Sequence, residues 1–426
     1  MTDWKRLGRR IGYGLAVGSL AAAPALATEG YFALGYSPEQ IAQGGAGVAN
    51  GDEPMSAAIN PAGVATVGNA LSFGMQLFSP HRGYDASGAA FVSNGSITSG
   101  HTLFLVPNVA YNRVLADGAR LNFAAYGNGG MNTSYPADPN TGLLCTGAPG
   151  IFCGGKAGVN LTQLFLQFTY ARKVGNVAWG IAPTIALQNF SARGIGAFAS
   201  SSADPSHLSD TGGDWSHGIG LKAGVQVDVA PGLRLGLSGQ SKFNMSRFSK
   251  YAGLFAGGGD FDIPASATVG MAWDARPDLT LMLDYQRIWY SGVPAVANPF
   301  PNGANALGSA DGPGFGWKDV GVIKLGAAWR QSPAMTWRVG YAYSTNPVQS
   351  SQVTLNILAP GVVRHHLSAG GSWQMTDTDT LDFALEYVPT SKVSGPEVTT
   401  SGVTSGSDIT LKMHQFAAAV GWTHRF

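Results

Sequence analysis

The sequence predicts an all-β membrane protein: an antiparallel transmembrane β-barrel of about fourteen strands, with a small N-terminal helical plug inside its lumen. Three observations predict this fold class. The C-terminal residues alternate between apolar and polar positions, the N-terminus has the pattern of an export signal, and charged residues make up only 12% of the chain. Together they indicate an exported chain whose strands face lipid on one side.

The C-terminal residues 411–426 form the clearest strand. Counting back by twos from the terminal residue gives Phe426, His424, Trp422, Val420, Ala418 and Phe416, whereas the positions between them include Arg425, Thr423 and Gln415. A period of two places these two sets on opposite faces of a strand. One face suits lipid with an aromatic residue at the interface and the other suits a wet interior, as in the closing strand of a bacterial outer-membrane barrel.

Residues 1–27 have the pattern of a cleaved signal peptide. Lys5, Arg6, Arg9 and Arg10 form a positive region, residues 11–23 are mostly apolar, and Ala25-Leu26-Ala27 is a small-x-small cleavage site. The apolar run is too short to span a bilayer as a helix. We therefore predict a signal peptide (1–27), a plug (28–68) and a barrel (69–426), located in the bacterial outer membrane.

Composition excludes several classes of protein. A soluble protein of this size carries about twice as much charge. The formal net charge of +1 argues against nucleic acid as a partner. No motif indicates a cofactor or a metal. Cys145 and Cys153 lie close together in a Gly/Pro-rich segment, and in an exported chain such a pair is expected to form a disulfide.

Alternation and turn residues divide the barrel region into about fourteen strands, an even number as bacterial barrels require. Their predicted centres are near residues 74, 107, 123, 165, 182, 222, 238, 268, 284, 324, 339, 368, 384 and 418. Tight turns alternate with long segments at 80–100, 128–158, 191–213, 248–260, 291–317, 346–361 and 391–407. Short periplasmic turns and long extracellular loops are the asymmetry expected of such a barrel.

The plug region does not alternate like a strand. Ser37 as N-cap, Pro38 at the first helical position and Gln40 in the first turn predict a helix start. A second short helix is expected around residues 54–59. A compact, small-residue segment ahead of the first strand fits a plug inside the lumen, and an appendage in the periplasm fits equally well.

Several segments resemble the FadL/TodX family of outer-membrane transporters for hydrophobic compounds. Residues 44–49, followed by Asn60, Pro61, Ala62 and Gly63, look like the N-terminal hatch of that family. Residues 106–111, 263–270 and 338–348 are similar to its strands. The resemblance implies a monomeric, fourteen-stranded barrel closed by the hatch, which passes fatty acids or hydrocarbons without a cofactor.

The same resemblance implies a route out of the barrel. In the family, substrates leave sideways at a kink in the third strand, which corresponds here to Gly127, Asn128, Gly129 and Gly130. Consecutive glycines suit a bulge that interrupts strand pairing, although ordinary turn glycines at a loop entry would look the same. The hatch motif at residues 60–63 is expected to contact this kink.

A loop after the seventh strand is a candidate for substrate capture. Phe248, Tyr251, Leu254 and Phe255 fall at helical spacing and could form one apolar face. By resemblance this loop, with residues 195–198, lines the outer capture groove. Packing of the same face onto the barrel rim is the alternative.

A carboxylate head group would need a cation in the lumen. Alternation directs Lys222, Lys242, Lys324, Arg338 and Arg364 inward. Acidic residues such as Asp284 and Glu386 point inward too, so most of these cations are expected to pair with them.

The pattern does not support an enzyme. His365 and His366 are adjacent and face opposite ways on a strand, and no nucleophile stands at a matching spacing. The sequence therefore favours passive uptake of hydrophobic compounds through loop capture, hatch rearrangement and lateral exit. A general polar-solute porin and a surface interaction protein, such as an adhesin or phage receptor, are the alternatives. Expected partners are the hydrophobic substrate, outer-membrane lipid or lipopolysaccharide, and the barrel-assembly machinery.

Overall fold

The structure is a computed structural model that describes residues 29–426. Within this range, fourteen antiparallel strands form one closed sheet in which chain neighbours are also sheet neighbours. They are β1 (Ala70–Ser87), β2 (Phe104–Val114), β3 (Arg120–Asn132), β4 (Gly158–Val174), β5 (Val177–Arg193), β6 (Asp214–Ala230), β7 (Leu233–Gln240), β8 (Ser266–Arg276), β9 (Leu279–Ile288), β10 (Val320–Ser332), β11 (Met335–Ser344), β12 (His365–Gln374), β13 (Asp379–Gly395) and β14 (Asp408–Arg425). Every predicted strand centre lies within one of these strands, so the predicted strand number and order are confirmed. The predicted signal peptide lies outside the described residues.

The last strand closes the barrel. β14 pairs with β13 on one side and with β1 on the other, in a register that runs from Ala70 opposite Arg425 to Ser87 opposite Asp408. The side chains of Phe416, Val420 and Trp422 are exposed, whereas Gln415 and Thr423 are buried. The two predicted faces of this strand are confirmed.

Four strands, β1, β3, β5 and β13, are longer than predicted, so the loops after them begin later. β1 continues to Ser87 because a short strand, Gly95–Thr98, folds back and pairs with its outer end. β13 continues to Gly395, which lies opposite Ile409 of β14. The other short strands are Asn244–Met245, Val398–Thr399 and Gly402–Val403.

All helices in the described range are short. They are α1 (Pro38–Ala42), α2 (Ala256–Gly259), α3 (Pro294–Ala297) and α4 (Val353–Asn356), with 3-10 turns at Pro54–Ala58, Pro61–Val64, Gly196–Ser201, Pro205–His207, Ser249–Tyr251, Tyr290–Gly292 and Ser350–Gln352. Among residues 29–426, no helix has the length and apolarity needed to cross a membrane. The predicted start of α1 is confirmed, since the Ser37 side chain accepts a hydrogen bond from the Gln40 amide.

The plug lies inside the barrel, where inward-facing side chains of the wall hold it. Lys324 of β10 forms an ion pair with Glu29 at 2.9 Å. The Asp284 carboxylate of β9 accepts hydrogen bonds from the amides of Gly47 (2.8 Å) and Val48 (2.9 Å). These partners come from the lumen face of the wall, so the geometry is that of a luminal plug and not of a periplasmic appendage.

A second buried ion pair fixes α1. Arg338 of β11 reaches Glu39 at 2.9 Å, and their side chains are only 7% and 10% exposed. Gly340, on the same strand, lies against the plug so closely that a Cβ there would stand 2.0 Å from the Gly44 nitrogen. Glycine at this position of the wall therefore lets the plug backbone pack directly on the sheet.

The outer loops are tied to one another. Cys145 and Cys153 are joined by a disulfide within the loop between β3 and β4. The buried carboxylate of Glu397, in the loop after β13, accepts hydrogen bonds from the amides of Ala90, Phe91 and Val92 at 2.8, 2.9 and 2.6 Å. The Glu397 hydrogen bonds join the first and last outer loops, whereas the disulfide closes a stretch within a single loop.

We predict that the Arg338–Glu39 pair is needed to keep the plug seated. Arg338→Met leaves a buried carboxylate without its cation, which typically costs about 3–5 kcal/mol. A thiol reporter at Ala58, which is 3% exposed, should then react with maleimide at least about a hundredfold faster, because the plug opens more often. The double variant Arg338→Met/Glu39→Gln should restore most of the protection.

The matched control is Arg276→Met. Arg276 and Asp278 form an ion pair whose side chains are 59% and 44% exposed, and such pairs contribute at most about 1 kcal/mol. Equal labelling rates in Arg338→Met and the parent chain would show that this pair does not hold the plug.

Candidate functional site

The barrel wall is interrupted between β2 and β3. The two strands pair from Val114 opposite Arg120 up to Asn108 opposite Tyr126, and beyond Tyr126 β3 has no partner on this side. β3 continues its pairing with β4 to Asn132, with a shift of register between Gly127 and Gly129. The bulge therefore lies at the glycine-rich segment that the sequence analysis singled out.

The plug supplies the backbone that the wall lacks here. The Ala33 amide donates to the Asn128 carbonyl, and the Gly130 amide donates to the Tyr31 carbonyl, each at 3.0 Å. Phe32 lies opposite Gly129 in an antiparallel bridge. A Cβ at Gly129 would stand 1.7 Å from the Tyr31 oxygen, so only glycine allows this approach.

The expectation that residues 60–63 contact the kink is wrong. The Asn60 side chain donates to the Val48 carbonyl of the plug at 2.7 Å and to the Val225 carbonyl of β6 at 3.3 Å. A Cβ at Gly180 of β5 would stand 2.5 Å from Pro61. This motif therefore seats the plug on β5 and β6, because proline and the capping asparagine fix a 3-10 turn there.

A cavity of about 40 Å³ lies between the plug and the wall next to the kink. Its lining includes Phe32, Tyr36, Ala58, Lys222, Gln286 and Lys324. Lys222, on β6, is 4% exposed. Its ammonium donates to the Tyr126 hydroxyl at 2.8 Å and to the Ala58 carbonyl at 3.2 Å.

Aromatic rings surround the Lys222 ammonium. It lies 5.6 Å from the ring centre of Tyr36 and 5.3 Å from those of Tyr126 and Phe165. Among residues 29–426, no carboxylate lies within ion-pair distance of it. Lys222 is thus a buried amine whose hydrogen-bond partners within residues 29–426 are a hydroxyl and a carbonyl and not a carboxylate.

The other predicted cations are paired or lie elsewhere. Lys324 and Arg338 are inward but bind Glu29 and Glu39 of the plug. Burial raises the pKa of the Glu29 carboxyl, and the Lys324 charge offsets part of that rise.

Lys242 and Arg364 do not point into the lumen as predicted. β7 ends at Gln240, the alternation breaks there, and Phe243 takes the inward position. Lys242 pairs instead with Asp262 at 2.7 Å and is 39% exposed. Arg364 precedes β12, is exposed, and lies over the Tyr343 ring at 5.0 Å.

A second cavity, of about 30 Å³, lies beneath the outer loops. Its lining is apolar and comprises Val159, Phe190, Ile195, Phe198, Leu254, Phe255, Ala295, Leu307, Pro313, Gly314, Phe315, Leu355 and Leu358. Leu254 and Phe255 of the predicted capture loop and both ends of the 195–198 segment line this cavity. Such a lining offers apolar contacts and therefore suits an apolar molecule or the apolar part of one.

The predicted helical face of the capture loop does not form. Ser249–Tyr251 is a single 3-10 turn, and Gly257 and Gly258 have positive φ values of 73° and 75°. Phe248 and Tyr251 are fully buried. They pack on Phe190 with ring centres 5.6 and 4.8 Å away, so they support the cavity wall from behind.

Aromatic side chains connect the outer cavity to the plug. Phe255 lies 4.8 Å from Phe261, and Phe261 lies 6.1 Å from Tyr31, each distance being between ring centres. Tyr290 contacts Tyr31 at 5.2 Å and its hydroxyl donates to the Glu29 carbonyl at 2.6 Å. The path thus ends at the plug segment that fills the wall interruption.

Sequence reasoning missed this aromatic path. Phe261 comes from the loop between β7 and β8 and Tyr290 from the loop between β9 and β10, and alternation carries no information about loop residues. The Tyr31-Phe32 pair just after the predicted cleavage site was the one available signal.

The described residues offer no metal centre: no three His, Cys, Asp or Glu side chains within 29–426 are grouped to hold an ion. His365 is exposed and His366 is buried against Glu386 at 2.9 Å, so the predicted opposite orientation of the two histidines is confirmed.

Solved structures share this fold. The Pseudomonas putida toluene transporter TodX is 17% identical, with a TM-score of 0.67 over 92% of this chain and 99% of that one. A Pseudomonas aeruginosa FadL homologue is 14% identical, with a TM-score of 0.69 over 93% and 100%. The Ralstonia pickettii toluene transporter TbuX is 19% identical, with a TM-score of 0.61 over 92% and 99%.

The family is shown by the sequence itself. No curated protein sequence matches this chain. The family model described as outer membrane protein transport protein (OMPP1/FadL/TodX) matches residues 17–426. The chain therefore belongs to the FadL/TodX family of outer-membrane transport proteins, a family of transporters and not of enzymes, and its barrel is an outer-membrane barrel.

Proposed function

We propose that this chain is a passive channel that takes up hydrophobic compounds and releases them sideways through the interruption between β2 and β3. One observation carries the proposal. Beyond Tyr126, β2 does not pair with β3, and the backbone of plug residues 31–33 forms hydrogen bonds with β3 in its place. A plug segment held by two backbone hydrogen bonds is easier to displace than a strand of the sheet. Its displacement would open the wall toward lipid.

The rest of the route is consistent with this exit. The apolar outer cavity, at about 30 Å³, would have to widen by movement of the outer loops to receive the compound. The aromatic path from Phe255 to Tyr31 would then lead the compound to the plug. A polar-solute porin would need a continuous wet lumen, whereas the plug packs directly on the wall at Gly129 and Gly340.

Lys222 supports a long-chain carboxylate as the substrate class. A buried ammonium with hydroxyl and carbonyl partners but no carboxylate is suited to bind an anionic head group. The solved relatives include toluene transporters, and toluene has no anionic group that could pair with an ammonium. We therefore propose that fatty acids are bound more strongly than neutral aromatic hydrocarbons.

Cross-linking the interruption should stop uptake. A Cβ at Gly127 would stand 3.0 Å from the Val106 side chain, so Val106→Cys/Gly127→Cys places two thiols within disulfide range. Cells that lack their own hydrophobic transporter and express the oxidised variant should lose saturable uptake of labelled oleate. A reductant should restore it, because reduction frees the gap.

The matched control for this cross-link is Tyr111→Cys/Phe123→Cys. These residues lie opposite each other in the part of β2 and β3 that is already paired, so their disulfide closes nothing. Oleate uptake that persists in the oxidised Val106→Cys/Gly127→Cys variant would contradict lateral exit. Uptake of a labelled sugar, and not of oleate, by cells that express the parent chain would favour the polar-solute porin.

Removing the Lys222 charge should separate the two substrate classes. Hydrogen bonds to charged groups contribute about 1.5–3 kcal/mol, so Lys222→Met should raise the KM for oleate uptake about tenfold to a hundredfold. Toluene uptake should change little. Lys222→Arg keeps a cation and should retain most oleate uptake, and an equal loss of both substrates in Lys222→Met would contradict a head-group role.

A further inference from the structure

A polar groove lies on the outer surface of the barrel, beside the extracellular end of the wall interruption. Its volume is about 460 Å³, and its lining includes His101, Asn132, Asn160, Arg193 and Asp210. These residues lie at the outer ends of β3, β4 and β5 and in the loops beside them. Apart from Val159, which also lines the outer cavity, the residues of this groove take no part in the uptake route described above.

The charges around this groove are mainly positive. His101 and Lys156 are exposed and Arg193 is half-buried. Partial burial and the nearby charges of Arg193, Lys156 and Arg82 lower the pKa of His101. The lowered pKa keeps His101 neutral near neutral pH. Within the described part of the chain, neither Lys156 nor Arg193 forms an ion pair with a carboxylate. The groove thus has two cations that the protein does not neutralise.

Arg82 holds two lining residues of the groove in place from the inward face of β1. It is 6% exposed and extends from β1 across the interruption, where its guanidinium donates to the carbonyls of Asn132 and His101. Two lining residues from opposite sides of the gap are thereby fixed to one buried cation. The groove is consequently a constructed feature and not a chance meeting of surface lysines.

One carboxylate lies in the groove but is already engaged. The Asp210 side chain accepts hydrogen bonds from the Gly194 amide at 3.1 Å and from the Ser209 hydroxyl. The Arg193 guanidinium donates to the Ser134 hydroxyl at 2.8 Å and not to Asp210.

The position of the groove matches the level of lipid head groups. On the outward face of β5, Trp179, Ile181 and Ile185 are exposed and apolar, and the face turns polar at Asn189, Ser191 and Arg193. Trp215 of β6 lies opposite Asn189 and is 62% exposed. Exposed tryptophan is enriched at the membrane–water interface, so the groove starts just outside the hydrocarbon.

We propose that this groove binds the phosphate groups of an outer-leaflet glycolipid. A phosphate at this level meets Arg193 and Lys156 from the solvent side, with the Asn132 and Asn160 amides as additional donors. Arginine binds phosphate oxygens through two parallel hydrogen bonds, and each cation near an anionic leaflet contributes to lipid binding. A glycolipid held here would stand beside the exit without entering the transport route.

The test uses the purified mature chain in detergent and titrates it with diphosphorylated lipid A by native mass spectrometry. Lys156→Gln/Arg193→Gln should raise the Kd about thirtyfold, and Lys156→Gln alone about fivefold. Lipid A with the same acyl chains but no phosphate should bind the parent chain about as weakly as diphosphorylated lipid A binds the double variant. Heat-modifiable mobility in SDS gels confirms that each variant is folded.

Lys392→Gln is the matched control. Lys392 is an exposed cation near the outer end of β13, and its charge helps to lower the pKa of Asp85, which is not part of the groove. It should leave the Kd unchanged. Unchanged binding in the double variant, or equal binding of dephosphorylated lipid A, would overturn the proposal. Displacement of lipid A by millimolar inorganic phosphate would identify a site for free phosphate and would also overturn it.

Discussion

Backbone hydrogen bonding in lipid is the constraint on which the rest of this structure depends. In the hydrocarbon of a membrane, each backbone amide and carbonyl of a barrel wall needs a hydrogen-bond partner, since a group without one costs roughly 2–7 kcal/mol. Beyond Tyr126, β3 lacks a strand on its β2 side. Plug residues 31–33 provide two of the backbone hydrogen bonds that the wall lacks there, so the plug and the interruption form a single structural unit.

This arrangement links the outer cavity to the wall. Tyr31 belongs both to the aromatic path and to the bridge across the gap. A compound that enters among Phe255, Phe261 and Tyr31 therefore competes for the same packing that holds the bridge in place. The Lys222 ammonium donates a hydrogen bond to the hydroxyl of Tyr126. Tyr126 is the last residue of β3 that pairs with β2. Head-group binding at Lys222 and opening of the gap thus involve adjacent groups.

The barrel could be predicted from the sequence because each strand is indicated by a pattern within its own residues. A strand that faces lipid on one side and the lumen on the other shows its period of two in its own residues, as β14 does. The glycine bulge at residues 127–130 was also visible, since bulges favour glycine. The plug contacts were not, because the pairing of Tyr31 with Gly130 joins residues far apart in the chain and leaves no periodic trace. The resemblance placed residues 60–63 at the kink, where the structure has residues 31–33.

The predictions about single side chains failed where alternation ends. Lys242 and Arg364 lie just outside β7 and β12, so extending the strand pattern to them gave the wrong orientation. The capture loop failed for a related reason: Phe248 and Phe255 have extended backbones and only a 3-10 turn, Ser249–Tyr251, lies between them, so the helix that the apolar spacing indicated does not form. Lys222 was one of several equal candidates in the sequence, and only the ion pairs of Lys324 and Arg338 with the plug distinguish it.

The central claim is that the plug bridge across β3 opens when substrate passes. Hydrogen–deuterium exchange of the amides of Ala33 and Gly130, which form that bridge, measures this opening directly. The account predicts that saturating oleate speeds exchange at both amides while amides in the paired part of β3, such as Phe123, stay protected. Unchanged exchange at Ala33 and Gly130 under conditions in which oleate is transported would contradict it.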